Sequence, residues 1–272
     1  MSYAKVRDIA ADEIPVIDVS GLKDGDESQL STIADQLVRA AEGLGFFYVQ
    51  GHGVSRGMLD ETYALSQTFF RSPDSIKDKV AVSGGHRGWL RIGEARMEGS
   101  ERFDLKESFI WGLDVPNDDS DVIAGDRLLA VNRWPESLPR MRNLFNRFFS
   151  EMQYCGEQLL KAFALSLDIA PDYFIRHIDR PVSRAAAVWY PPQTPDLGDQ
   201  QFGVSPHTDY GTLTLVQQDA VGGLQVRSRA GDWVTAPPIE DAFVVNVGDL
   251  LARWTNDRFQ STPHRVVNSS GQ

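Results

Sequence analysis

His207-Thr208-Asp209 and, farther along the chain, His264 are the residues whose types and spacing lend themselves to chemistry. In an extended strand, residues i and i+2 project from one face. An imidazole and a carboxylate then converge at one strand end while Thr208 points away. A second imidazole from a neighbouring strand would complete two nitrogen donors and one oxygen donor on one side of an ion. That leaves the opposite positions open to further ligands, a set suited to Fe(II) and dioxygen. Taken alone, His-x-Asp is a weak signal. The chain holds five histidines, and two of the others read as structural: His52 in a His-Gly turn and His177 as a satisfied lone histidine.

The elements that must position these residues fall into two stretches. Ile14-Pro15-Val16-Ile17-Asp18-Val19 reads as a short strand, with Pro15 placing it at an edge or a strand start. Leu30, Ile33, Ala34, Leu37, Val38, Ala41 and Leu44 recur at helical spacing until Gly45 stops the run. Phe46 to Val49 follows as an aromatic, β-branched strand closed by Gly51 and Gly53, and a second helix is expected over Met58 to Phe70. Residues 83–106, Gly-rich and charged, read as a long loop, and Glu107 to Trp111 as a strand. The strongest stripe runs from Pro135 to Leu167, a core-facing helix in which Cys155 is one more small apolar residue.

From residue 181 the pattern changes to short β-rich runs: Ala185–Tyr190, Gly211–Gln217, Leu224–Arg227, Trp233–Ala236, Phe243–Val247 and His264–Val267. Gly and Pro separate them, and such spacing means a sandwich or barrel. The expected fold is mainly β with helical support. A mostly helical N-terminal part (1–180, an α/β layer) packs on a jelly-roll core (181–272) as a single domain over 1–272.

Composition narrows the partners. Twenty-seven basic against 38 acidic residues give a net charge of −11, which repels phosphate backbones and anionic lipid. Nucleic acid and membrane are therefore not expected partners. One cysteine excludes an internal disulfide, Cys-rich zinc modules and iron–sulfur ligation. The opening segment carries charges where a signal peptide has its apolar block, and no apolar run is long enough to span a bilayer. The expected location is the cytoplasm.

Motifs in order along the chain carry a more specific signal. They are Ile14-Pro15-Val16-Ile17-Asp18; Leu44-Gly45-Phe46-Phe47-Tyr48-Val49 with His52-Gly53; and Tyr190-Pro191-Pro192. Then come His207-Thr208-Asp209-Tyr210-Gly211-Thr212-Leu213-Thr214-Leu215, Gly222-Gly223-Leu224-Gln225-Val226, Val245-Asn246-Val247-Gly248-Asp249 and Ser261-Thr262-Pro263-His264-Arg265-Val266. Together they resemble the isopenicillin N synthase-like group of iron(II)- and 2-oxoglutarate-dependent dioxygenases. The resemblance implies a double-stranded β-helix, with His207, Asp209 and His264 as iron ligands and Tyr190 hydrogen-bonding the cosubstrate. It implies Fe(II), 2-oxoglutarate and dioxygen as the reacting set, and oxidation, usually hydroxylation, of a C–H bond in a small-molecule substrate. Two alternatives stay open: a same-fold oxidase that does not use 2-oxoglutarate, and a metal-binding or sensor module without turnover.

The sequence departs from the family in two places. Family members carry an Arg-x-Ser pair shortly after the distal histidine, where the arginine forks onto the far carboxylate of 2-oxoglutarate. The sequence reaches Gln272 before that position. The natural chain is expected to continue, because a jelly roll short of its last strand exposes a sheet edge. Arg265 is a poor substitute, since it faces away from its neighbour His264. Val188 stands where many members have Asn, two residues before Tyr190. Among substrate determinants, Arg87 heads the candidates as a carboxylate reader, with Arg91 and Arg96 beside it. Asp104, Lys106 and Glu107 read as structural, Asn246 and Asp249 as residues behind the ligands or in turns, with Asn246 a candidate to bond across strands, and Gln225 and Trp233 as core.

Overall fold

The computed structural model describes residues 14–24, 26–95, 103–126, 128–192 and 202–268. The N-terminal half runs β1 (Val16–Asp18), α1 (Gly21–Asp24), α2 (Glu27–Gly43), β2 (Phe46–Gln50), α3 (Arg56–Phe70), α4 (Asp74–Lys77), β3 (Gly88–Leu90), β4 (Glu107–Gly112), α5 (Ser120–Ile123) and α6 (Arg140–Ser166). It continues with β5 (Arg184–Trp189), β6 (Val204–His207), β7 (Leu213–Val216), β8 (Leu224–Arg227), β9 (Trp233–Thr235), β10 (Phe243–Val247), α7 (Asp249–Trp254) and β11 (His264–Val266).

Local chemistry sets the helix ends. Asp26 caps α2 by accepting from the Gln29 amide at 3.0 Å, and Ser55 caps α3 by accepting from Met58 at 3.3 Å. Gly45 ends the first long helix at φ +73°, its amide reaching back to Ala40. A side chain there would also collide with the Gln260 carbonyl, 1.9 Å from where a Cβ would sit. Gly45 thus turns the chain and admits a close backbone approach from the C-terminal half.

Three sheets form, in strand orders β1-β2-β10-β7, β6-β11-β8-β9 and β3-β4-β5. All pairings are antiparallel except β1 with β2. β1 stands at an edge, as Pro15 requires, and β7 and β5 also end their sheets. β2 is buried on both faces, which is why Phe46-Phe47-Tyr48-Val49 reads as a continuous apolar run. Phe46 and Tyr48 point to one side and pack with Leu224, Val226 and Val244, closing the sandwich between the first two sheets. Phe47 and Val49 point to the other and join Leu37, Leu159 and Phe163 of α2 and α6. One cluster thereby draws on both halves of the chain. The third sheet lays Trp89, Phe109 and Trp111 on Phe69, Phe145 and Phe149. Cys155 is buried on α6.

Two strands lie outside the runs expected from sequence. β3 falls inside the expected loop over 83–106, where Trp89, only 2% exposed, fixes three residues against β4. β6 was legible only as the approach to His207, because Val204-Ser205-Pro206 carries few β-forming residues. No described helix is long and apolar enough to cross a membrane.

Candidate metal centre

β6 and β11 run antiparallel, and in their register His207 and His264 are direct partners. Cross-strand partners hold their side chains side by side, and the imidazole centroids lie 4.3 Å apart. β6 ends at His207, so Asp209 sits in the turn that follows rather than on the strand as alternation suggested. That turn still brings its carboxylate to the histidines. His207 Nε2 lies 3.6 Å from Asp209 Oδ1, and His264 Nε2 lies 3.8 Å from Oδ2. The donor atoms of all three residues fall within 4.8 Å of one another. An ion bound at about 2.1 Å can serve donors up to about 4.2 Å apart, so both nitrogen–carboxylate spacings fit one ion. Two imidazoles and one carboxylate are also the donor set that suits Fe(II) with open positions.

Each donor is aimed by a neighbour. His207 Nδ1 faces the Ser205 carbonyl at 2.8 Å, and His264 Nδ1 faces Thr262 at 3.2 Å. A proton held on Nδ1 by a carbonyl leaves the Nε2 lone pair free for a metal. Phe46 meets the His264 ring edge-on at 5.4 Å. Asn246 Nδ2 donates to Asp209 Oδ2 at 2.9 Å, and the Thr214 hydroxyl donates to the same carboxylate. The turn itself is clamped from β10 and α7. Asp249 N donates to the Asp209 carbonyl at 2.7 Å, and the Thr208 hydroxyl donates to the Asp249 carboxylate at 3.1 Å. Gly248 must be glycine for this approach, since a Cβ there would lie 2.3 Å from the Gly211 carbonyl.

Electrostatics keep the set ready for a cation. Burial, and then the neighbouring His207, push the His264 pKa down, outweighing the pull of Asp209. Its imidazole is therefore neutral near pH 7. Burial would raise Asp209, but His264, Thr214, Asn246 and His207 together hold it below its ordinary value. The hydrogen bonds from Thr214 and Asn246 are the part of this stabilisation that does not depend on the charge of His264. Replacing Asn246 by Ala is therefore expected to weaken iron binding about 10- to 100-fold by freeing the carboxylate. An iron titration that returns the parent affinity for Asn246→Ala would remove that role.

The other sequence candidates scatter. Tyr190 follows β5 and packs its ring on Gly203, next to β6, with Cδ1 2.8 Å from where a Cβ would sit. Burial, then Asp104 and Asp219, push its hydroxyl pKa well up, so it stays a donor. Arg87 is buried beside Gly112, where its Nη2 donates to the Leu128 carbonyl at 2.9 Å. Arg91 is committed to Asp78, and Arg96 lies outside the described residues. His177 closes a short helical turn, Ile175–His177, and His52 stacks on Phe243 at 4.0 Å. Arg265 turns away from the centre: its Nε donates to Gln225 at 2.7 Å and its guanidinium covers Trp233 at 4.1 Å. Asp104 accepts from the Ser205 amide at 2.9 Å and pairs with Lys106, bracing β6. Sequence reasoning missed Thr214 as a partner of Asp209, which alternation along β7 would have offered as a neighbour of the centre.

Comparison with known proteins agrees with this geometry. Residues 14–137 match the family model described as the N-terminal region of a non-haem dioxygenase in morphine synthesis, and residues 174–272 match the 2OG-Fe(II) oxygenase superfamily. A 2-oxoglutarate-Fe(II) type oxidoreductase of Metarhizium rileyi is 34% identical, over 98% of this chain and 76% of that protein. A homoarginine-6-hydroxylase of Glycine max is 31% identical, over 95% of this chain and 82% of that protein. Among solved structures, a full-length Neurospora crassa protein in complex with alpha-KG and thymine superposes with a TM-score of 0.84 at 29% identity, covering 97% of this chain and 83% of that one. Sequence likeness over nearly the whole length, a shared jelly-roll fold and a His-Asp-His cluster lead to one assignment: this chain belongs to the 2-oxoglutarate- and Fe(II)-dependent oxygenases, enzymes that use iron, 2-oxoglutarate and dioxygen.

Proposed function

We propose that His207, Asp209 and His264 hold Fe(II), that Tyr190 hydrogen-bonds the cosubstrate, and that the enzyme hydroxylates a C–H bond of a small molecule. The observation that carries this reading is the convergence of three donors from β6, its following turn and β11. Bound there, Fe(II) with 2-oxoglutarate supplies the power to break an unactivated C–H bond. In the overall balance one atom of dioxygen enters the substrate as hydroxyl, the other enters succinate, and carbon dioxide leaves. The protein's part is positional. The Ser205 and Thr262 carbonyls fix the imidazole tautomers, Asn246 and Thr214 help hold the carboxylate charged, and the buried Tyr190 hydroxyl stays protonated to donate. The helical part and the jelly roll work as one domain in this reading, supported by the cluster that joins them. The cytoplasm is the compartment this reading favours, since a chain with a lone cysteine makes no internal use of an oxidising one.

The test uses full-length protein loaded with Fe(II) under argon. Adding 2-oxoglutarate is expected to raise a visible charge-transfer band, and admitting air with candidate substrates to yield succinate and carbon dioxide in equal amounts. An iron-loaded protein giving neither band nor succinate would end the reading, and product without a stoichiometric oxo acid would move it to an oxidase. Acid should strip the metal, because protons compete for Nε2. Since burial already lowers His264, release is expected to begin below the ordinary imidazole range. Iron retained unchanged after desalting at steps far below that range would take His264 out of the ligand set.

A further inference from the structure

One buried cation is left without a counterpart by everything above. Arg87 is 2% exposed, and its guanidinium lies flat on Gly112, where a Cβ would meet Nη2 at 2.5 Å. Nη2 donates to the Leu128 carbonyl at 2.9 Å and Nη1 to His86 at 3.3 Å, while the buried Nε has no hydrogen-bond partner. Among the described residues no carboxylate pairs with it. Buried charges are ordinarily paired, and this chain has 38 acidic residues to do it with.

A second guanidinium stands beside the first. Arg184 opens β5 directly opposite Gly112 in the β4–β5 register. It has no ion pair among the described residues either, and its Cζ lies 5.4 Å from the ring centre of Tyr210, the neighbour of Asp209. Desolvation lowers the pKa of both arginines, and the like charge of Arg184 lowers Arg87 further. By strand alternation Arg184 shares a face of β5 with the position of Tyr190. Arg87 also lines an open cavity of about 310 Å³ together with Arg133, Ser83, Asn117, Val122 and Ala130. Arg133 is braced there by Ser83 at 2.5 Å and the Lys79 carbonyl at 3.1 Å. No carboxylate lines that wall among the described residues.

We propose that the molecule oxidised by this enzyme is an organic acid, and that Arg87, backed by Arg184 and Arg133, receives its carboxylate. The proposal rests on the oxygenase reading and names the substrate class for it. The charge of the Arg87 guanidinium is met only by carbonyl oxygens at the wall of this cavity, which leaves it to be neutralised by a carboxylate, and the neighbouring cations raise the potential that draws one in. Tyr210, under Arg184 and next to Asp209, links this corner to the metal side of the fold.

The experiment compares acids with their neutral amides on the Fe(II)-loaded protein under argon, with saturating 2-oxoglutarate to fill the cosubstrate position. Propionate and hexanoate are titrated against propionamide and hexanamide at fixed ionic strength, reading melting temperature and tryptophan fluorescence. The acids are expected to act at concentrations about 10- to 100-fold lower than the amides, the range for a hydrogen bond to a charged group. Arg184→Gln and Arg87→Gln should each erase that preference, while Arg253→Gln, at an exposed pair with Asp257, should keep it. If Arg87→Gln does not fold, Arg184→Gln decides alone. Equal action of acids and amides, or a preference that survives Arg184→Gln, overturns the proposal. Succinate formation by the same preparation is measured separately, after air is admitted. Succinate without acid preference removes only the carboxylate site, and acid preference without succinate removes the oxygenase reading and leaves Arg87 an anion site rather than a reader of the oxidised molecule.

Discussion

Asp209→Ala is expected to lower succinate formation by about three orders of magnitude or more, since the metal supplies several kcal/mol of catalysis. The physical reason is charge. Asp209 is the single anion of the cluster, and without it two neutral imidazoles face a dication that water solvates better. Stability separates this effect from misfolding. Iron at about 100 times its Kd should stabilise the parent by about 2.7 kcal/mol, which is about 5–10 °C in Tm for a chain of this size. The variant should lose that iron-dependent rise. Its metal-free Tm should move less, because Asp209 is partly exposed and mainly serves Asn246, Thr214 and the histidines. Asp209→Asn sharpens the comparison: its amide oxygen can still accept from Asn246, so the turn is preserved while the charge is gone. Asp209→Ala with parent iron content and parent succinate output would sink the ligand assignment.

Much of this centre is legible in the sequence, and the reasons differ by residue. His207, Asp209 and His264 are a donor set by type, but His-x-Asp alone is a weak signal, and it is the ordered motifs around them that single them out. Their convergence is not legible there, since the His207–His264 register is a pairing between segments far apart in sequence. The helices were readable because apolar spacing and caps are local: Leu30 to Leu44, Asp26, Ser55 and Gly45 act within a few residues of themselves. β3 was not, because Gly88-Trp89-Leu90 has no strand pattern and becomes one only when Trp89 is buried on β4. Asn246 reads from the sequence as a residue behind the ligands that bonds across strands, and its bond to Asp209 is of that kind. The isolation of Arg87 lies beyond any sequence reading. Composition offers it 38 carboxylates, and only the fold decides that none pairs with it among the described residues.

Glu107→Ala is expected to cost about 3–5 kcal/mol, the range for breaking a buried ion pair by removing one partner. Lys77 Nζ lies 2.9 Å from Glu107 Oε2, with the two side chains only 5% and 8% exposed. The same oxygen accepts from Trp89 Nε1 at 2.7 Å, and the ammonium sits 4.8 Å over the Trp89 ring. Removing Glu107 leaves a buried ammonium with only the Phe70 carbonyl and the exposed Asp74, and leaves the indole N–H without an acceptor. At about 2–4 °C per kcal/mol, Tm should fall by about 10 °C. Glu107→Gln keeps an acceptor for Trp89 and should fall less. Lys77→Met combined with Glu107→Gln should recover part of the Glu107→Ala loss, because no unpaired charge remains, and the double-mutant cycle isolates the pair. The consequence reaches function through the sheet. Glu107 is opposite Trp189 in the β4–β5 register, and β5 leads into Tyr190. Loosening β4 should therefore raise the KM for 2-oxoglutarate while iron binding at β6 and β11 holds. Glu107→Ala with the parent Tm and the parent KM would show that this buried pair neither stabilises the third sheet nor positions Tyr190.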